Sequence, residues 1–141
     1  VVEQQRPHYL ARFKYFASFA GENASPQARV RAILQTIAKA ARSPEWKGCC
    51  YIRLATELAH YPGHPVRIMV AQANAAVAEW LCEHHVPLHL PDAQAIARQI
   101  TLIMNGMIMT QMVMHDDEAA VHAVSLVKML LPDELALAQA A

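Results

Sequence analysis

Aromatic side chains are scarce in this sequence, at 6%, and there are only four glycines. Glycine is a poor helix former, so its scarcity points to helices. No Gly-rich phosphate loop and no nucleophile elbow can be read anywhere in it, which removes two common enzyme signatures. Cysteine is limited to Cys49, Cys50 and Cys82. An odd number of thiols in a domain large enough for a core argues against a disulfide framework and points to a reducing, cytoplasmic compartment. The opening residues do not read as a signal peptide, so none is expected. The longest run without a charge, residues 100–114, is shorter than the roughly 20 residues a membrane span requires, and it contains Thr101, Asn105, Thr110 and Gln111. It is expected to be a helix buried in protein.

What the sequence does have is aliphatic. Hydrophobic residues make up 55% of the 141 positions. Ala, Leu and Met dominate them, and all three are strong helix formers. The length is that of one domain, residues 1–141. Net charge is zero, but residues 1–70 hold ten Lys/Arg against four Asp/Glu, and residues 71–141 hold two against eight. The basic residues Arg6, Arg12, Lys14, Arg29 and Arg31 are dispersed at helical spacing without interleaved aromatics, so the chain by itself is a poor nucleic-acid binder.

Periodicity predicts about six helices and no strand. The first spans residues 2–20, with Tyr9, Phe13, Phe16 and Ala20 on one face and Pro7 as an objection. Ser25-Pro26 reads as an N-cap with proline in the first turn, opening a helix to Ala41 whose stripe is Val30, Ile33, Leu34 and Ile37. A short helix covers residues 51–60. After the Pro/Gly turn at 61–65 a long helix runs to His84, with Val66, Val70, Ala73, Val77 and Leu81 inward. Asp92 is expected to cap a helix reaching Met114, and Asp117 to cap the last, residues 118–131. Helices joined by short loops make an all-α bundle.

Between Ile100 and Met114 apolar residues lie on every side, with Ile100, Ile103, Met104 and Met107 on one arc and Ile108, Met112 and Val113 on another. A helix that is apolar all round is buried all round. One arc packs on the domain's own core, and the other most simply meets a second chain. Val121, Val124, Lys128 and Leu131 of the last helix would complete a two-fold interface made by the last two helices. A central helix wholly enclosed by its own chain is the alternative.

Other chemistry was weighed against plain structure. Cys82 and His85, with His84 and His89 nearby, match no established zinc spacing, so no metal site is assigned. Adjacent Cys49 and Cys50 cannot act as a Cys-x-x-Cys pair. Glu57 on an apolar short helix fits a salt bridge or an exposed edge better than a catalytic base. No catalytic residues and no cofactor are expected.

The stretch Gly48-Cys49-Cys50-Tyr51-Ile52-Arg53-Leu54-Ala55-Thr56-Glu57-Leu58 resembles one found in many TetR-family transcriptional repressors, where a Gly-Cys pair after a loop opens a short helix carrying a Glu. The surroundings agree: a Ser-Pro-started helix before it, His64-Pro65-Val66-Arg67 opening the next long helix, then Ala97 and Gly106 within a long apolar helix, then Asp116-Asp117 and a final amphipathic helix. Arg53 stands where that pattern often has Asn, and the family's N-terminal helix-turn-helix is absent. The resemblance covers nearly the whole chain as the family's C-terminal domain. It implies an effector-sensing, homodimerising domain of a bacterial repressor, with residues 1–20 connecting to a missing DNA-binding domain. Operator DNA would be a partner only through that domain. The start at Val1, with Glu3-Gln4-Gln5-Arg6 already helix-like, fits a continuation from something upstream.

The inward faces supply candidate contacts for a small apolar effector: Phe13, Phe16, Ile37, Tyr51, Leu54, Met69, Ala73, Met104 and Met107. Asn74, Thr101 and Asn105 are candidates for the few polar groups such a pocket needs. Two competing expectations are a stand-alone helical interaction module, with an exposed apolar groove in place of a cavity, and a small helical enzyme, with convergent ionisable groups.

Overall fold

A computed structural model describes residues 2–86 and 92–133, and the side chains among them from residue 8 onward. Six helices follow one another: α1 (Val2–Ser18), α2 (Pro26–Ala41), α3 (Cys50–Glu57), α4 (Pro65–His84), α5 (Ala93–Met114) and α6 (Ala119–Leu130). Among the described residues there is no strand, and no helix is long and apolar enough to cross a membrane. The all-α bundle expected from periodicity is the fold.

The ends of the helices show how local chemistry sets them. The Ser25 hydroxyl accepts from the Ala28 amide at 3.1 Å, satisfying one of the free donors of α2, and Pro26 follows at the first position. His64 caps α4 in the same way, its Nδ1 accepting from the Val66 amide at 3.2 Å. Two expected caps differ. Asp92 precedes α5 but adopts a left-handed backbone, φ 57°, and makes no side-chain cap bond. Asp116, not Asp117, serves the start of α6, its Oδ1 accepting from the Glu118 amide at 2.9 Å. α1 passes through Pro7 without a break; the proline lies within the first two turns, so it forfeits a single hydrogen bond near the start of the helix. α1 ends two residues earlier than expected and α3 at Glu57 instead of His60.

α1 packs on α2 and α4, α4 on α5, α5 on α6, and α2 closes the bundle against α5 and α6; α3 lies on α4. The most deeply buried side chains are Val30, Ile33, Leu34, Val77, Leu81, Ile100, Met104, Val127 and Leu131. They come from α2, α4, α5 and α6 and from the residue that ends α6. Each contributes about 1.5–3 kcal/mol on burial. The expected α2 stripe is buried in full. On α4 the stripe is buried at Ala73, Val77 and Leu81 and only half-buried at Val66 and Val70.

Ile108 departs from the expected arcs of α5. It stands four residues after Met104 and eight after Ile100, so helical geometry returns it to the core side, where it is 4% exposed. The outer arc is instead Leu102, Gly106, Met109 and Val113, at i, i+4, i+7 and i+11.

Candidate functional site

Phe13, Ile37, Tyr51, Ala73, Met104 and Met107 share one contiguous core, with Phe16 and Met69 packed on its margin. α1 brings Tyr9 and Phe13 to the same face one turn apart, with ring centroids 5.1 Å apart and edge to face. α3 brings Tyr51 against Tyr9 at 4.4 Å. Phe13 meets Phe16 at 6.3 Å. Leu54, one turn beyond Tyr51, is half-buried and stands outside this core.

The polar groups inside the aromatic cluster are few. Burial, and then the neighbouring Cys49 thiol, push the Tyr9 phenol well above its ordinary range, so it stays protonated. The Tyr51 phenol is raised too, by burial first and then by Cys50. Among the described residues, four buried side-chain atoms lack a hydrogen-bond partner: the Tyr51 hydroxyl in this cluster, and the Gln27 Oε1, Gln111 Oε1 and His85 Nδ1. Gln111 carries the signal of an inward position, since it follows Met107 by four residues and Met104 by seven. Cys49 and Gln111 were not among the expected contacts.

Asn74, Thr101 and Asn105 lie elsewhere. The Asn105 side-chain amide donates to Asn74 Oδ1 at 2.8 Å. The Thr101 hydroxyl donates to the Ala97 carbonyl at 2.9 Å within its own helix. All three line an open groove of about 680 Å³ between α4 and α5, together with Glu79, Cys82, Glu83, Arg98 and Leu102. Asn74 follows Ala73 by one residue, and one residue on a helix turns the side chain from the core face to its flank. The polar trio therefore does not meet the aromatic cluster.

The expected interface residues divide in a similar way. Val113 and Val121 are 62% and 66% exposed, and Lys128 is exposed. Val124 is half-buried. Ile108 and Leu131 are enclosed in the chain's own core, which removes them from any outer face. Met112 turns toward the loop before α3 and fills the space beside Gly48. Leu102, Met109 and Met129, exposed by 72%, 45% and 77%, join Val113 and Val121 on the outer sides of α5 and α6. Sequence patterning missed them because a helix apolar on all sides gives no phase by which to choose its outer arc. Gly106 sits amid the α5 stripe, and a side chain there would meet nothing within 4 Å.

Among the described residues, no group of three or more His, Cys, Asp or Glu is placed to hold a metal ion. Cys82 lines the α4–α5 groove. His85 is buried against Trp80, ring centroids 4.3 Å apart. His89 lies outside the described residues.

No protein-family model, no characterised protein and no solved structure matches the chain.

Proposed function

We propose that this chain is the effector-sensing and dimerisation domain of a TetR-like transcriptional repressor. The observation that carries the reading is the outer face of the last two helices. Of the large hydrophobic side chains left exposed, Leu102, Met109, Val113, Met114, Val121, Leu126 and Met129 all belong to α5 and α6. Tyr15, Phe19, Tyr61 and Ile68 are exposed elsewhere, so seven of the eleven exposed large hydrophobics among the described residues fall on these two helices, with Leu102, Met109 and Val113 in one stripe, and such a concentration supports an association surface there. Its self-complementary form is a two-fold pairing of α5 and α6 with their copies. Gly106 lets a partner helix approach the α5 backbone closely.

In this reading α1 transmits the signal. It packs on α2 and α4, and its Tyr9 and Phe13 form the aromatic cluster with Tyr51. An apolar effector entering that cluster would displace α1 and the DNA-reading domain upstream of it. The effector works only if it binds one placement of α1 more tightly than the other. The parent protein would act in the cytoplasm, on a palindromic operator, without cofactor or catalysis.

A second reading has its own support. Two concavities, of about 680 and 630 Å³, are open grooves at the surface, and the expected apolar pocket residues are largely packed against one another. That suits a helical interaction module whose α5–α6 face takes a different protein.

Two measurements separate them. Light scattering on the purified chain gives a homodimer under the first reading and a monomer under the second. The intact mass of the natural product, with the sequence upstream of Val1, gives about three short helices with a helix-turn-helix under the first. A natural product that holds no DNA-binding unit overturns the repressor reading even if the chain dimerises.

A further inference from the structure

A second concavity, of about 630 Å³, runs along the outer seam of α2 and α6. Arg31, Gln35 and Lys39 form one wall, each a turn after the last on α2. Val124 and Lys128 form the other, a turn apart on α6. The floor between the walls is small: Ala28, Ala32 and Thr36, whose hydroxyl is turned down to the Ala32 carbonyl at 2.7 Å. Phe19 closes one end, 58% exposed and edge-on to Tyr15 at 4.8 Å.

Three cations thus converge on one groove, and none of its lining side chains is acidic. Among the described residues Lys39 and Lys128 make no ion pair, while Arg31 reaches the Asp133 carboxylate at 3.5 Å. Like charges brought together repel, and the arrangement is relieved by an anion. Asp133 lies outside the groove lining, and its contact with Arg31 shows that this guanidinium is within reach of a carboxylate. The exposed Phe19 ring and the alanine floor favour a flat apolar body behind the negative group. The volume falls in the range of small-molecule sites.

We propose that the α2–α6 groove binds a small organic anion with a flat apolar ring system, its carboxylate held by Arg31, Lys39 and Lys128 and its ring lying on the alanine floor beside Phe19. Asp133 is then an internal competitor, displaced from Arg31 when the ligand binds. The site is separate from the aromatic cluster and from the outer stripe of α5, but its α6 wall, Val124 and Lys128, consists of residues also expected in the two-fold interface, so a dimer that buries them would close the groove.

The test uses 1-naphthoate and its neutral amide, 1-naphthamide, titrated into the whole chain and followed by backbone amide NMR shifts. Saturable shifts are expected with naphthoate at Phe19, Arg31, Gln35, Lys39 and Lys128, with naphthamide at least about tenfold weaker. The double substitution Lys39→Gln/Lys128→Gln, at two exposed positions, is expected to weaken naphthoate at least about tenfold, or about 1.4 kcal/mol, while leaving the amide spectrum folded. Asp133→Asn is expected to tighten binding several-fold, and added salt to weaken it. Equal binding of the acid and the amide, shifts confined to the α4–α5 side, indifference to the lysine substitutions, or no saturable binding at all each overturn the proposal.

Discussion

The thioether of Met112 on α5 occupies the space that any side chain on Gly48 would need. Gly48 also holds a left-handed backbone, φ 79°, so two independent constraints fall on one residue. The contact pins the loop before α3 to the end of α5, and with it the position of Cys49 and Tyr51. Gly48→Ala is therefore expected to destabilise the chain by about 2–4 kcal/mol, from backbone strain and overpacking together. In a Met112→Ala background the overlap vanishes and only the strain is left, about 1–2 kcal/mol. Urea unfolding of the four proteins of this cycle measures both parts. Equal costs in the two backgrounds would show that the overlap contributes nothing.

The outer face of α5 can be tested without disturbing the core. Met109 is 45% exposed, and Gly106 has open space around it. If the chain pairs through this face as proposed, Met109→Glu is expected to lower its mass in light scattering to that of a monomer, with the helical circular dichroism signal retained. Gly106→Ala separates chain from assembly. In an isolated chain it adds helix propensity, stabilising by about 1 kcal/mol. At a close helix–helix contact it weakens association instead.

Much of the bundle was legible because its local signals are strong. Ser25-Pro26 marks a helix start by cap chemistry, the Pro/Gly turn at 61–65 marks another, and the α2 stripe has a single apolar face with one possible phase; that His64 caps α4 shows only in the fold. α5 offered no such phase. Ile108 and Leu102 are equally apolar; helical spacing groups Ile108 with Ile100 and Met104, but the tertiary packing decides that this arc is the buried one and that of Leu102 the exposed one. Asn74 shows the same limit at a polar position. Its neighbour Ala73 is core, but one residue of rotation carries Asn74 to the groove. Of the aromatic cluster, Phe13 and Tyr51 were readable as inward residues. Their closure through Tyr9 and Cys49 joins positions some 40 residues apart, which periodicity within a helix does not report.

Asn74 and Asn105 join α4 to α5 through one hydrogen bond of 2.8 Å at a half-buried site. Each single substitution, Asn74→Ala or Asn105→Ala, is expected to cost about 1 kcal/mol, because it leaves the other amide without its partner. The double substitution should cost scarcely more than either, giving a coupling of about 0.5–1.5 kcal/mol in the cycle. Additive losses would mean that the two amides act independently, and that the groove they line is not braced by their contact.

His85 is expected to make stability depend on pH. It is 4% exposed, packed on Trp80, and its Nδ1 has no hydrogen-bond partner among the described residues. Burial first, then Arg29 and His84, lower its pKa from 6.5 to about 4. The folded chain therefore keeps His85 neutral where the unfolded chain already takes up a proton. Stability is full above the unfolded value and is lost as pH falls from about 6.5 toward 4. At pH 5 the loss from this residue alone is on the order of 2 kcal/mol. His85→Gln removes the titrating group and keeps a side chain of similar polarity. Urea midpoints from pH 7.5 to 4.5 should slope downward for the parent chain and run nearly flat for the variant until pH 5. Parallel curves would place the acid sensitivity in another residue.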